Sequence, residues 1–485
     1  MKALLDAIDW FNAQYGIVLV VLLAATGIYF GVYTLLVQIR YVPDMFKAVV
    51  EKPSDLPDGQ KGISAFKAFT VSAASRVGTG NVAGVAMAIA TGGPGAVFWM
   101  WMLALIGGAT SFVESTLAQA YKVRDVQSYR GGPAYYMSRV LKWRFMAILF
   151  AVLITVTYGF VFNAVQSNSI AESIIHSVGG DPFSTKIVVG IVLALVTGLV
   201  VFGGIQRVAM VTQFVVPVMA VAYIIIGVAV VIVNIDRVPG MFLEIFEHAF
   251  GIREFAGAAL GTVIMKGVQR GLFSNEAGMG SVPNAAATAS VSHPVKQGLI
   301  QTLGVYFDTL VVCTVTAFII MLSRPDLSNV EGGMALTQSS LAASVGTWGI
   351  YFLSVVIVFL AFSSVIGNYY YGETNIEFMT DNRMWVNVYR VLVSLCVLGG
   401  ALGTVPLVWS LADVFASLMA TVNILALLPL GGVAVALLRN YAQQRAKGVN
   451  PVFNRDDLPG IKGWEAMDCW DGSDPLTRRN ERNSQ

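Results

Sequence analysis

Arginine, asparagine, alanine and glycine recur at one spacing in opposite halves of the chain, as Arg76-Val-Gly-Thr-Gly-Asn81-Val-Ala-Gly84 and Arg270-Gly-Leu-Phe-Ser-Asn275-Glu-Ala-Gly278. Each copy interrupts an otherwise apolar stretch. Backbone N–H and C=O groups freed by an unwound turn cost several kcal/mol each in hydrocarbon unless a ligand, ion or water satisfies them. Around residues 78–81 the glycines permit the turn and a close ligand approach. The half-helix beginning near Asn81 would then aim its first amides inward, which suits a carboxylate. Around residues 271–275, Gly271 and Ser274 flank Phe273, offering freed carbonyls for an ammonium group and one bulky ring as a wall. Together the breaks describe a pocket for a small zwitterion. The competing reading of either break alone is a packing kink, because glycine in membrane helices often serves close helix contact.

The elements that must hold these breaks are membrane helices. Of the 485 residues 56% are hydrophobic and only 12% charged, and mean hydropathy is +0.68, far from the average soluble domain. A formal charge of +2 leaves no nucleic-acid footprint, and Cys313, Cys396 and Cys469 are too scattered for a disulfide framework or a metal site. Apolar windows of membrane width place helices near 13–38, 62–92, 94–121, 145–176, 187–205, 208–235, 256–289, 295–323, 348–377, 384–403 and 405–439. The last is expected to kink or split at Pro429. Asp6 and Asp9 accompany Lys2 before the first span, which argues for a retained helix over a cleaved signal.

Positive charge in the loops orients the spans. Loop 122–144 carries Lys122, Arg124, Arg130, Arg139, Lys142 and Arg144 against Asp125, and Arg439, Arg445 and Lys447 open the tail. Both are expected in the cytoplasm, with the N-terminus external and the protein in the plasma membrane of a prokaryote. The loops 236–255 and 324–347, where Arg237, Arg253 and Arg324 face a surplus of acids, fall outside. The expected division is a first span and cytoplasmic loop (1–61), a five-helix repeat (62–235), an external loop (236–255), a second repeat (256–439) and a polar cytoplasmic tail (440–485) to which no fold is assigned. Five helices per unit is odd, so the second unit is inverted. Broken helices at matching places in inverted repeats mark the midplane site of secondary transporters.

Arg76-Val-Gly-Thr-Gly-Asn-Val-Ala-Gly-Val-Ala-Met-Ala-Ile with Gly92-Gly-Pro-Gly-Ala-Val-Phe-Trp-Met-Trp101 resembles the alanine or glycine:cation symporter family. So do Arg130-Gly-Gly-Pro-Ala-Tyr-Tyr-Met137 and Phe273-Ser-Asn-Glu-Ala-Gly-Met-Gly-Ser281, and the motifs spread from about residue 60 to 440. The resemblance implies an all-α polytopic membrane protein, a five-plus-five inverted repeat of the leucine-transporter type with one extra N-terminal span. It implies cation-driven symport of alanine or glycine by a monomer, without a cofactor. Thr79, Gly80 and Asn81 would hold the substrate carboxylate, and Phe273 and Ser274 would meet the amino group and side chain. Gln166 matches the family's polar substrate contact, with an ordinary interhelical hydrogen bond as its alternative. Ser364 and Asn368 occupy substrate-facing positions, Asn368 standing where many members have tryptophan.

A helix can offer a carbonyl and, three and four residues later, hydroxyls on the same face. Leu360, Ser363 and Ser364 have that spacing, although the serines could instead bond to their own preceding turn. With the carbonyls of Ala74 and Val77 at the first break, the leucine-transporter likeness implies a Na⁺ site between these helices. Its neutral ligands favour Na⁺, and H⁺ coupling stays open. The charges within spans are Arg76, Glu114, Lys266, Arg270, Glu276, Asp308, Glu373 and Asp413, each a functional hypothesis by its cost. Arg76 and Arg270 are expected to pair with acids such as Glu276 and act as gates; Asp308 is the candidate proton carrier if H⁺ drives transport. A channel would need a polar lining or charged rings, and an enzyme a nucleophile–base or metal cluster within a span; neither is evident. A transporter-like sensor would need an output domain, which the short tail does not resemble.

Overall fold

The computed structural model describes residues 2–52, 62–125, 128–252, 260–325, 327, 333–474 and 477. The charges expected at Arg253, Glu254, Asp326 and Glu331, and the start of the helix expected from residue 256, lie outside the described residues. The chain opens with α1 (Lys2–Tyr33), then short α2 (Val37–Arg40) and α3 (Val42–Val49). The first broken helix is α4 (Ala65–Arg76), a π-helical turn (Gly80–Gly84) and α5 (Val85–Gly92). After α6 (Gly95–Ala120), a two-strand hairpin pairs β1 (Val123–Arg124) with antiparallel β2 (Tyr129–Arg130), followed by α7 (Pro133–Arg139). Then come α8 (Arg144–Val156), a π turn (Thr157–Phe162), α9 (Asn163–Val178), α10 (Pro182–Val201), α11 (Gly204–Val233) and α12 (Val238–Ala249).

The second half begins with α13 (Leu260–Asn275) and α14 (Val282–Ala286) on either side of the second break. It continues with α15 (Pro294–Tyr306), a π turn (Phe307–Cys313), α16 (Thr314–Ser323), α17 (Met334–Val345), α18 (Trp348–Met379) and α19 (Arg383–Leu402). A 3₁₀ turn at Leu428–Leu430 joins α20 (Val405–Leu427) to α21 (Gly431–Ala446), where Pro429 removes a helix donor. Among the described residues nine continuous helical spans are long and apolar enough to cross a membrane. The two broken helices complete the eleven spans expected.

Local chemistry starts these helices. Ser64 accepts the Lys67 amide at 3.1 Å to begin α4, Asp181 accepts Ser184 N–H at 2.7 Å ahead of Pro182, and Asn382 accepts Met384 N–H at 2.9 Å. Each relieves amides that the helix itself cannot pair.

Three features depart from the sequence reading. The loops expected at 236–255 and 324–347 contain α12 and α17. The second break lies after Asn275, where Glu276, Gly278 and Gly280 have φ of 58°, 86° and 80°; Gly271 and Ser274 remain helical, because glycine inside a helix costs only about 1 kcal/mol and packing outweighs that. The tail is folded too. Trp470 is buried, donates its indole N–H to the Gln119 carbonyl at 2.9 Å, and lies 5.6 Å from the Phe453 ring. Phe453 N–H donates to Ser292 O at 2.9 Å. The Lys122 ammonium stands 3.8 Å and 4.8 Å from the Tyr129 and Trp470 ring centroids, a cation–π arrangement. Acid–base pairs Asp468–Arg139 and Asp471–Arg124 extend the seam. Hydropathy alone does not register a few buried aromatics in a polar segment.

Candidate functional site

At the first break α4 ends at Arg76, and Val77 turns out of the helix at φ −81°, ψ 88°. The Gly78 amide donates to Asn81 Oδ1 at 2.9 Å and the Thr79 amide to Gln166 Oε1 at 3.1 Å. A Cβ on Gly78 would sit 2.2 Å from Ser364 Oγ and 2.9 Å from Gln166 Oε1, so only glycine lets α9 and α18 approach this closely. The Thr79 hydroxyl is buried and has no hydrogen-bond partner. The π turn leaves the Asn81 carbonyl to Thr316, whose hydroxyl donates to it at 2.6 Å. Such π turns often sit at functional positions.

The second break is satisfied differently. The fully buried Glu114 carboxylate on α6 accepts Gly278 N–H and Gly280 N–H, each at 3.1 Å, and the Asn423 amide at 2.8 Å. Asn423 in turn donates to Gly278 O at 2.9 Å and accepts the Tyr136 hydroxyl at 2.7 Å.

Asp308 joins the first break to the end of α13. It lies in the π turn after α15, fully buried, and accepts Asn81 Nδ2 and the Ser274 hydroxyl at 2.6 Å each, with Thr309 Oγ1 at 3.0 Å. Asn81 Nδ2 also reaches Ser274 Oγ at 3.0 Å, and Cys313 Sγ is 3.0 Å from Ser274 Oγ. No basic side chain pairs with Asp308 among the described residues. Aromatic rings close over this cluster: Phe273 stands 4.5 Å from Phe162 and 4.8 Å from Trp409 between centroids. Gly80 faces the Phe273 ring closely enough that a Cβ would meet Cδ1 at 2.8 Å. Beyond the rings, Arg270 forms a buried ion pair with Asp413 and lies 4.8 Å over Trp409.

Ala74, Leu360, Ser363 and Ser364, four of the residues expected to take a cation, meet beside the first break. Ser364 Oγ donates to Ala74 O at 2.7 Å and to Leu360 O at 3.1 Å, and Ser363 Oγ to Leu360 O at 2.7 Å; Val77 is the next residue but two along the same chain. A hydroxyl carries one proton and two lone pairs, so either serine can turn the proton away and accept a cation. The set is neutral throughout, which fits a weakly held alkali ion better than a divalent metal.

Not every sequence-proposed residue takes its proposed place. Among the described residues Arg76 pairs with no acid: it donates to Gln301 O at 3.2 Å and Oε1 at 3.3 Å, and its Nε has no hydrogen-bond partner. Glu276 accepts Ser75 and Ser281 hydroxyls at 2.7 Å each instead of an arginine. Asn368 binds Ser75 Oγ at 2.6 Å and Asn163 Oδ1 at 3.1 Å, one turn beyond Ser364. The rings that stand against Phe273 are Phe162 and Trp409. Sequence reasoning missed both. Trp409 sits one helical turn before Asp413 on α20, and that spacing was the available signal. The capping role of Glu114 carried no local signal, since its glycine partners are more than 160 positions away.

Comparison with known proteins shows the family and the fold. The model of the sodium:alanine symporter family matches residues 1–455. The amino-acid carrier protein AlsT of Bacillus subtilis is 51% identical over 447 residues, covering 92% of this chain and 94% of that protein. The probable sodium/glutamine symporter GlnT of Bacillus subtilis is 48% identical, covering 95% and 94%. The solved manganese transporter of Eremococcus coleocola shares the fold at a TM-score of 0.52 and 12% identity, over 85% of this chain and 94% of that one. That is the leucine-transporter-type architecture, and it says nothing of cargo. With one family's pattern matched over nearly its whole length, the chain belongs to the sodium:alanine symporter family and is a cation-coupled amino-acid symporter of the membrane, not an enzyme.

Proposed function

We propose that the protein carries a small neutral amino acid, alanine or glycine, into the cell together with Na⁺ by alternating access. One observation supports this above the others: the amides of Gly78 and Thr79 are held only by carboxamide oxygens, from Asn81 and Gln166. A substrate carboxylate can replace both oxygens, because the exchange is of one acceptor for a stronger, charged one. The ammonium pole then faces Asp308 and Ser274, and the side chain faces Phe162, Phe273 and Trp409, a wall that favours a short substituent. Ala74, Val77, Leu360, Ser363 and Ser364 take the Na⁺. Rocking of the broken helices opens the site to each side in turn, with the N-terminus external and the tail in the cytoplasm. In this reading Arg270 and Asp413 form the outer gate.

Asp308 supports a second reading, coupling to H⁺, because it is a buried carboxylate bonded to the first break and to the end of α13 and, among the described residues, to no base. Uptake of labelled alanine into proteoliposomes separates the two. We expect accumulation under an inward Na⁺ gradient and little when K⁺ replaces Na⁺ at fixed pH and voltage. Unchanged uptake after that replacement sinks sodium coupling and leaves the proton reading. Competition by glycine, serine, D-alanine and glutamine ranks the substrates.

A further inference from the structure

Trp409 has two faces in use. One packs on Phe273 at 4.8 Å, and the residue also lines a second cavity of about 400 Å³ outside the site, with Asp9, Lys266, Gln269, Arg270 and Asp413. The walls come from α1, which stands outside the two five-helix units, and from α5, α13 and α20. Among the described residues two buried polar atoms here have no hydrogen-bond partner, Arg270 Nη1 and Gln269 Oε1, on residues only 3% and 4% exposed. Arg270 gives one nitrogen, Nη2, to Asp413. Lys266 makes no ion pair among the described residues. On α1, Asp9 has one oxygen, Oδ1, bound by the Ser410 hydroxyl at 2.7 Å.

An unpaired buried donor is costly, and ionisable groups within a span persist where they serve a polar ligand or path. The donors Arg270 Nη1 and Lys266 Nζ lie on α13, and the carboxylate of Asp9 lies across the cavity on α1. A guanidinium and an ammonium on one helix with a carboxylate on another are the complement of a zwitterion's two poles. We propose that this cavity is a second amino-acid site, an outer station where substrate rests with its carboxylate on Arg270 and Lys266 and its ammonium on Asp9 before it passes Trp409. The station rests on the amino-acid reading above. It gives α1 a role that the two repeats do not need for the central site.

The test is the binding stoichiometry of labelled alanine on full-length protein in Na⁺, for wild type, Asp9→Asn, Lys266→Gln and Asn81→Ala, each first checked for an unchanged melting temperature. We expect two molecules per chain in wild type and one in each variant. In transport, Asp9→Asn and Lys266→Gln should raise KM about tenfold and leave the maximal rate within about twofold, the pattern of a lost loading step and not of lost translocation. The two variants lie on different helices, so a folding defect in one leaves the other informative. One molecule per chain in wild type overturns the outer station and leaves the central site standing; so does wild-type stoichiometry in both Asp9→Asn and Lys266→Gln. No binding by wild type overturns the transport reading and the station together.

Discussion

At the first break the free amides meet two neutral carboxamide oxygens, from Asn81 and Gln166; at the second they meet one buried carboxylate, Glu114, braced by Asn423. The same spacing of arginine, asparagine and glycine therefore serves two ends. A carboxamide oxygen is an exchangeable partner for an amide, whereas a buried carboxylate on two amides is a lasting one, because removing it strands both donors. A substrate carboxylate brought to the second break would also face the charge of Glu114. The amides of the first break are thus the more readily exchanged of the two. The second is a braced hinge whose helix end, at Phe273, Ser274 and Asn275, presents the ring and the negative ends of the α13 carbonyls.

Changing Glu114 should have the largest effect on the fold. Glu114→Ala leaves the Gly278 and Gly280 amides unpaired, on the order of 2–6 kcal/mol for two buried donors. The expected result is a melting temperature lowered by many degrees in detergent; one within a degree of wild type would mean that the second break is not braced by this carboxylate. Asn81→Ala should spare the fold more and the function less. It removes the donor to Asp308, a charge-assisted bond of about 1.5–3 kcal/mol, or on the order of 10- to 100-fold in substrate affinity. Alanine binding unchanged in Asn81→Ala rejects the Asn81–Asp308 contact as part of the site.

The serines sharpen the comparison on a finer scale. Ser364 reaches across to Ala74, while Ser363 bonds only within its own helix. Ser364→Ala should raise the Na⁺ concentration for half-maximal uptake by roughly tenfold, about the 1.4 kcal/mol of one good ligand. Ser363→Ala should raise it less, with substrate affinity at saturating Na⁺ little changed in either. Equal shifts for the two variants would place the cation elsewhere than between α4 and α18.

The eleven spans were legible because each depends on a local property, an apolar run of membrane length. The positions of the breaks were half legible. Gly78 and Asn81 sit in the first break as the spacing suggests, but the second lies after Asn275, since Gly271 packs closely on α6, a Cβ there meeting Met100 and Leu103 at 3.1–3.4 Å. Arg76 shows why charge pairing was not legible. A buried arginine needs some partner, and which one depends on the helix that happens to stand opposite; here α15 presents Gln301. Asn368 shows the same for a residue expected in the wall, which one turn beyond Ser364 binds Ser75 and Asn163.

By itself the sequence determined the membrane class, the count of spans, the two interruptions and the family resemblance, all carried by runs and spacings along one stretch of chain. Tertiary structure decided which interruption has its amides on exchangeable oxygens, that Phe162 and Trp409 stand against Phe273, and that the tail is packed by Trp470. The physical reason is that an amide freed by a break is defined by whatever reaches it. Glu114, Gln166 and Trp409 reach these breaks from α6, α9 and α20, across distances in sequence that no local pattern spans.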